Sequence, residues 1–322
     1  MRYLKHHASA LCAALACLTA PAHAAYPDQP IKFILPFVPG GSTDLVARKM
    51  ADKAQAILGQ TFVIENRGGA GGVIATDAVA KARPDGYTIL FAQTSHASNP
   101  WLLKSLPYNS EKDFTPIALL ADHPGVLLAN PGKPYKTFAE FLTYTKANPG
   151  KVIYATPGRG TWPHLTMELL SQRAGLSMVH VPYKGAAPSR VDVIEGRVDV
   201  KVEAYVSTSQ FIKNGKLRAL AVTGKDRIPD LPNIPTIAES GFPGFESSIW
   251  MGVLGPAGMP ADVVAKLQDA FTRAAHDPEV VKSLAEQNIY ARGLPAKDLA
   301  ALIHNEINKW HDLTKAAGIK PE

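Results

Sequence analysis

Two turns of the same design hold the residues most able to do chemistry. The first is Pro36-Phe37-Val38-Pro39-Gly40-Gly41-Ser42-Thr43-Asp44, which follows the apolar run Ile31 to Leu35. The second is Thr156-Pro157-Gly158-Arg159-Gly160-Thr161, placed between a strand at Lys151 to Ala155 and a helix from Pro163 to Ala174. Glycine lets a backbone approach a ligand closely. A turn that opens a helix also leaves backbone N–H groups without partners, which favours an anion. The candidate contacts of the first turn are Phe37, Gly40, Gly41, Ser42, Thr43 and Asp44. Those of the second are Thr156, Gly158, Arg159, Gly160 and Thr161, with His164 one residue inside the helix. Arg159 either grips a carboxylate or stands as a solvated surface charge. His164 reads as a packed core histidine or as a ligand contact. A third polar cluster, Gln93-Thr94-Ser95, follows the apolar run Tyr87 to Phe91. In open α/β sheets ligands sit beyond such C-terminal strand ends. Glu203, after the strand Val198 to Val202, completes the set as a residue that can face the same cleft.

Other chemistry is missing. No Gly-x-Ser-x-Gly elbow supplies a hydrolase nucleophile, and the histidines lack metal-binding spacing. Gly158-Arg159-Gly160 fails as a dinucleotide fingerprint, because Pro163 holds the third glycine's place and no acid follows at the ribose-binding distance. The run Gly68-Gly69-Ala70-Gly71-Gly72 lacks the Gly-Lys-Ser/Thr of a phosphate loop and reads as a mobile or tightly turned loop. Cys12 and Cys17 both fall in the first 24 residues, so thiol, disulfide and Cys–zinc chemistry are excluded from a mature chain. No enzyme, cofactor or metal is expected. The formal charge of +6 falls to +4 when Arg2 and Lys5 leave with that segment. This mild basicity suits anionic small molecules. It is too diffuse for nucleic acid, and no binding motif is present.

The elements that must position these residues alternate along the 322-residue chain. Met1 to Ala24 has a basic start, an apolar run from Ala8 to Ala20 and the peptidase site Ala22-His23-Ala24. It reads as a signal peptide cleaved between Ala24 and Ala25, which implies a periplasmic protein. Lipoprotein attachment at Cys17 has a poor lead-in in Ala14-Leu15-Ala16. The apolar run is shorter than the roughly 20 residues of a membrane span. Strands at Thr61 to Glu65, Tyr87 to Phe91, Lys151 to Ala155, Met178 to Val181 and Lys216 to Thr223 are separated by helices. Thr137-Phe138-Ala139-Glu140 matches a capping box. Two apolar runs between Phe114 and Ala129 are broken by Asp122-His123-Pro124-Gly125, a crossing between lobes, and Ile249 to Leu254 returns. The Pro-rich stretch Leu231 to Gly244 packs over a lobe, and everything after residue 260 is helical. Alternating strands and helices give an α/β fold. The expected lobes are 25–124 with 248–322, and an inserted 125–247.

Several segments together resemble one family. They include Tyr26-Pro27-Asp28-Gln29-Pro30-Ile31, Pro36 to Asp44, Glu65-Asn66-Arg67-Gly68-Gly69-Ala70-Gly71-Gly72 and Lys81-Ala82-Arg83-Pro84-Asp85-Gly86-Tyr87-Thr88. His180-Val181-Pro182-Tyr183-Lys184-Gly185 and Gly215 to Thr223 extend the match over the mature chain. The chain resembles the Bug-type periplasmic receptors of tripartite tricarboxylate transporters. That resemblance implies a two-lobed, type II venus-flytrap periplasmic binding protein with its ligand cleft between the lobes. It implies that Phe37 to Asp44 and Thr156 to Thr161 grip a carboxyl group through backbone N–H groups and water, without cofactor or metal. It also implies delivery to a two-component membrane permease, and a monomer is expected. Arg159, Trp162 and Val202-Glu203-Ala204-Tyr205 depart from the family's usual pattern. The departure puts the family's ammonium-binding aspartate in doubt and suits a di- or tricarboxylate or an aromatic carboxylate. Two other readings exist. A regulator's effector domain would need a DNA-binding segment where the signal peptide stands, and a receptor could instead report its ligand to a membrane sensor kinase.

Overall fold

The computed structural model describes residues 26–321 except Val38, Gly40 and Gly41. The signal segment expected at 1–24, its cleavage site and the turn residues Gly40 and Gly41 lie outside the described residues. The chain begins with β1 (Ile31–Leu35), α1 (Ser42–Leu58), β2 (Phe62–Asn66), α2 (Val73–Ala80), β3 (Thr88–Gln93) and α3 (Ser95–Leu102). Next come β4 (Phe114–Ala129), α4 (Phe138–Ala147), β5 (Ile153–Thr156), α5 (Trp162–Ala174), β6 (Val179–Pro182), α6 (Ala186–Ile194), β7 (Val200–Ala204), α7 (Tyr205–Lys213) and β8 (Arg218–Val222). The last elements are β9 (Ser248–Pro256), α8 (Ala261–His276), α9 (Pro278–Ala285), β10 (Tyr290–Pro295) and α10 (Ala296–Ala316).

One strand organises the sheets. β4 is continuous over 16 residues, where the sequence suggests two runs with a break. From Phe114 to Pro124 it pairs with β9, and from Ala118 to Asp122 also with β10, all antiparallel. From Gly125 to Ala129 its antiparallel partners are β7 and β8. The first sheet is completed by β3, paired to β9, and by the parallel ladder β3-β1-β2. The second is completed by the parallel ladder β7-β5-β6. Proline lacks a ladder donor and belongs where pairing is irregular. Pro116 flanks a register shift, and Pro124 is the last residue before β4 changes partners, so neither breaks the strand.

Apolar periodicity decides the cores. Val46, Ala47, Met50, Ala51 and Ala54 recur at helical spacing in α1 and bury that face against the first sheet and α8. Phe33, Phe62 and Phe271 form a triangle with ring centroids 5.4 to 6.1 Å apart. A fully buried phenylalanine contributes about 1.5–3 kcal/mol. A second cluster, with Val126, Leu128, Val193, Tyr205 and Val222, lies in the other sheet. Ile228 is buried in it, and Leu231 and Ile234 of the Pro-rich stretch pack on it. The third cluster joins residues of both sheets with Trp310 and Leu313 of α10. α10 accordingly packs on both α3 and α5.

Local signals hold in detail. Thr137 Oγ1 accepts the Glu140 N–H at 3.2 Å, as a capping box requires, while the Glu140 carboxylate takes the Lys136 N–H at 2.6 Å. The region after residue 260 is not all helix, because β10 adds an edge beside β4. Its Arg292 reaches across to Asp122, with Nε–Oδ2 at 2.7 Å and Nη2–Oδ1 at 3.0 Å. α3 is a helix as well, although Ser95-His96-Ala97-Ser98-Asn99-Pro100 has the composition of a loop.

Candidate functional site

A cavity of about 360 Å3 lies between the two sheets. The first sheet supplies Phe37, Gly71, Gln93, Thr94, Ser95 and residues of α3; the second supplies Arg159, Gly160, Thr161, Trp162 and His164. Ile249 of β9 and the pair Ile319-Lys320 after α10 complete the lining. Phe37, Gln93, Thr94, Ser95, Arg159, Gly160, Thr161 and His164, all candidates from sequence, are thus brought to one space. Gly40 and Gly41 lie outside the described residues.

The first turn is held by a network at its back. Asp44 does not point its carboxylate at the cavity as a free group. It takes Arg48 Nε and Nη2, both at 3.0 Å, and Asn66 Nδ2 at 3.1 Å. The same Asn66 amide donates to Phe37 O at 3.0 Å, so α1, β2 and the Phe37 wall are tied at one point. Thr43 donates to Gln93 Oε1 at 3.2 Å and thereby orients a cavity side chain. Ser42 Oγ approaches Nε2 of buried His123 at 3.4 Å. These three residues support the wall from behind, where direct contacts were expected. The Gly68 to Gly72 run is a tight turn, with positive φ at Gly69, Gly71 and Gly72, and Asn99 Nδ2 holds Gly71 O at 3.1 Å.

The second turn rests on a stack of rings. His164 lies 4.2 Å from His180, and His180 lies 4.8 Å from Tyr154, all near-parallel. The Gly160 N–H donates to His164 Nδ1 at 3.0 Å, which requires the neutral imidazole. Burial, then His180 and Arg159 nearby, push the His164 pKa down to about 3. His164 is therefore both a hydrogen-bonded, buried histidine and part of the cavity wall. Thr156 is fully buried beneath the turn. Its hydroxyl meets His180 Nε2 at 2.7 Å and Gly158 O at 3.1 Å. Thr161 donates to the same Gly158 carbonyl at 2.8 Å. Thr156 and Gly158 thus fix the loop that displays Arg159. Gly160 has φ +70°, and a Cβ there would meet the Leu102 side chain at 3.2 Å. The turn and the end of α3 therefore close on each other across the cavity.

Trp162 forms a flat wall and touches the crossing strand. Its Nε1 donates to Ser247 Oγ at 2.9 Å, and its ring covers Gly125. Thr223 Oγ1 accepts the Gly125 N–H at 3.1 Å and donates to Ser247 O at 2.6 Å. Glu203 is turned the other way. It binds Arg190 Nε at 3.1 Å and Lys201 Nζ at 2.8 Å, and Lys201 is fully buried. The Lys201 ammonium also donates to Ser189 Oγ at 2.7 Å and Ala186 O at 3.1 Å. A carboxylate neutralised by two cations offers no ammonium site.

The lining contains Arg159 and Lys320 and no carboxylate among the described residues. Neither cation has an acidic partner among them, whereas Arg48, Arg190, Arg292 and Lys201 all do. Two helices start at the cavity, α3 after Thr94 and α5 after Thr161, and neither has a side-chain cap. Their first N–H groups and dipoles favour negative charge there. Sequence reading missed α3's contribution (Ser98, Asn99, Leu102 and Leu103), and also Gly71, Ile249, Ile319 and Lys320. Their signal was weak: a Pro-containing Ser/Asn stretch in α3, and isolated residues elsewhere.

A model of the tripartite tricarboxylate transporter family receptor matches residues 46–319. The periplasmic binding protein BugD is 36% identical with a TM-score of 0.75, over 92% of this chain and 100% of that one. An R. palustris protein solved with adipate is 33% identical with a TM-score of 0.78, over 92% and 100% of the two chains. MatC from Rhodopseudomonas palustris with bound malate is 33% identical with a TM-score of 0.74, over 89% and 99%. Among the described residues no helix is long and apolar enough to cross a membrane.

Proposed function

Because this chain belongs to the tripartite tricarboxylate transporter family of receptors, we propose that it captures a small dicarboxylate in the periplasm and delivers it to a two-component membrane permease. The observation that carries the reading is the charge of the cleft, which among the described residues holds two cations without an acidic partner, two uncapped helix starts and no acid. One carboxylate is held by backbone N–H groups of the two turns together with Arg159. The other meets a side-chain cation. Adipate and malate in the related structures are both dicarboxylates, which supports that class. Glu203, occupied by Arg190 and Lys201, argues against an amino-acid ligand. The protein acts as a monomer of two lobes, 25–124 with 248–322, and 125–247. The change of β4 partners after Pro124 and the pairing of Ser248 with Pro124 support those limits.

A thermal-shift screen over mono-, di- and aromatic carboxylates tests the ligand class. Ligand at a hundredfold excess over Kd stabilises the folded state by about 2.7 kcal/mol. The best dicarboxylate is then titrated calorimetrically into wild type and Arg159→Ala. Loss of a charge-assisted contact costs about 1.5–3 kcal/mol, or roughly 10- to 150-fold in affinity. Arg159 is exposed at the cleft mouth, so the lower end is expected. No thermal shift with any carboxylate, or affinities within about a factor of two between the proteins, would overturn the reading.

A further inference from the structure

We propose that Lys320, carried to the cleft by a strap that follows α10, determines specificity by pairing with the ligand's second carboxylate. The inference rests on the dicarboxylate reading above and assigns a residue to its distal end.

The strap is built by the way α10 stops. The helix continues through Ala317, whose N–H donates to Leu313 O at 2.8 Å. Gly318 then takes φ +64°, a left-handed conformation that glycine adopts without the Cβ clash an L-residue would meet. Its N–H reaches Lys315 O at 3.4 Å, and the Ile319 N–H reaches Thr314 O at 2.9 Å. These are the paired bonds that end a helix and turn the chain back along it. The half-buried Ile319 side chain packs on the cluster containing Trp310 and Leu313 and lines the cavity. Lys320 is therefore attached to backbone that is anchored on both counts, by hydrogen bonds and by packing.

What Lys320 meets decides its role. It is exposed, lines the cavity and has no carboxylate partner among the described residues. An ordinary surface lysine would face solvent away from a binding space. This one shares the space with Arg159, which comes from a different segment of the chain. Two cations on separate segments match an anion with two charged ends better than one with a single end. A lysine presents a point charge on a flexible stem, suited to carboxylates at more than one distance.

The test uses matched pairs, adipate with hexanoate and malate with 2-hydroxybutanoate, titrated calorimetrically into wild type and Lys320→Gln. In wild type each diacid should bind more tightly than its monoacid. Lys320→Gln should weaken the favoured diacid about tenfold and leave its monoacid within about twofold. Gly318→Val, which disturbs the turn without touching the lysine, should reproduce the loss. If wild type favours neither diacid, the dicarboxylate reading falls and this assignment with it. If wild type favours a diacid but Lys320→Gln changes both members of the pair equally, or neither, only the assignment of Lys320 falls.

Discussion

Replacing Gly125 with alanine tests the contact between the cleft wall and the strand that joins the two sheets. A Cβ at this position would stand 2.2 Å from Trp162 Cη2 and 2.9 Å from Thr223 Oγ1. Carbon atoms pack at about 3.5–4.0 Å, so the indole or β4 must move by more than about 1 Å. Neither neighbour is free to do so. Trp162 is bonded to Ser247 at 2.9 Å, and Ser247 Oγ contacts Thr166 Oγ1 at 2.7 Å. Overpacking of this kind costs about 1–3 kcal/mol, and a broken buried hydrogen bond adds about 1 kcal/mol. At about 2.1 cal/mol/K of unfolding entropy per residue, each kcal/mol lowers the melting temperature of a 322-residue chain by about 1.5 °C. Gly125→Ala should therefore melt roughly 3–6 °C below wild type by circular dichroism. It should also bind ligand more weakly, because the displaced indole is a wall of the cleft. The control is Trp162→Phe, which removes the atom that the new methyl strikes. In that background the alanine should cost at least about 1 kcal/mol less, only the Thr223 contact remaining, a coupling that neighbouring residues show and distant ones do not. A wild-type melting temperature for Gly125→Ala, or the same loss in both backgrounds, would refute the contact.

Glu203→Gln should destabilise the fold by about 3–5 kcal/mol in urea, because it strands buried Lys201 beside Arg190. Ligand affinity of the folded variant should stay within about threefold, since Glu203 faces its cations and not the cleft; unchanged stability would contradict this. Acid should also unfold the protein early. Burial alone depresses buried His96 and His123 from 6.5 to about 4, and burial with Arg159 does the same for His180. The unfolded chain takes up these protons near pH 6.5 and the folded chain only near pH 4, so stability falls as pH drops through that window. At its full extent each of His96 and His123 contributes about 3 kcal/mol. A urea midpoint that stays level from pH 7 to pH 5 would show that these histidines are not held neutral.

Elements whose cause is local are legible in the sequence. Alternating apolar runs and glycine turns specify β1, β3 and β5 and the helices that follow β1 and β5, because side-chain period and turn chemistry act within a few residues. The two glycine turns between a strand and a helix were legible for the same reason, and so was the family, through motifs spread along the mature chain. Tertiary structure decided the rest. β10 and α3 have weak local patterns and exist because β4 offers β10 an edge and because α3 packs on α10. The direction of a charged side chain was equally illegible. Asp44 ends the first turn and Glu203 lies in β7, yet Arg48 and Asn66 claim one and Arg190 and Lys201 the other. A carboxylate near a buried surface goes to whichever cation packing brings within reach. Lys320 reverses the case, being 161 residues from Arg159 in sequence and beside the same cavity in space. Only the fold, by ending α10 before Gly318 and turning Ile319 onto the core, brings that charge to the cavity.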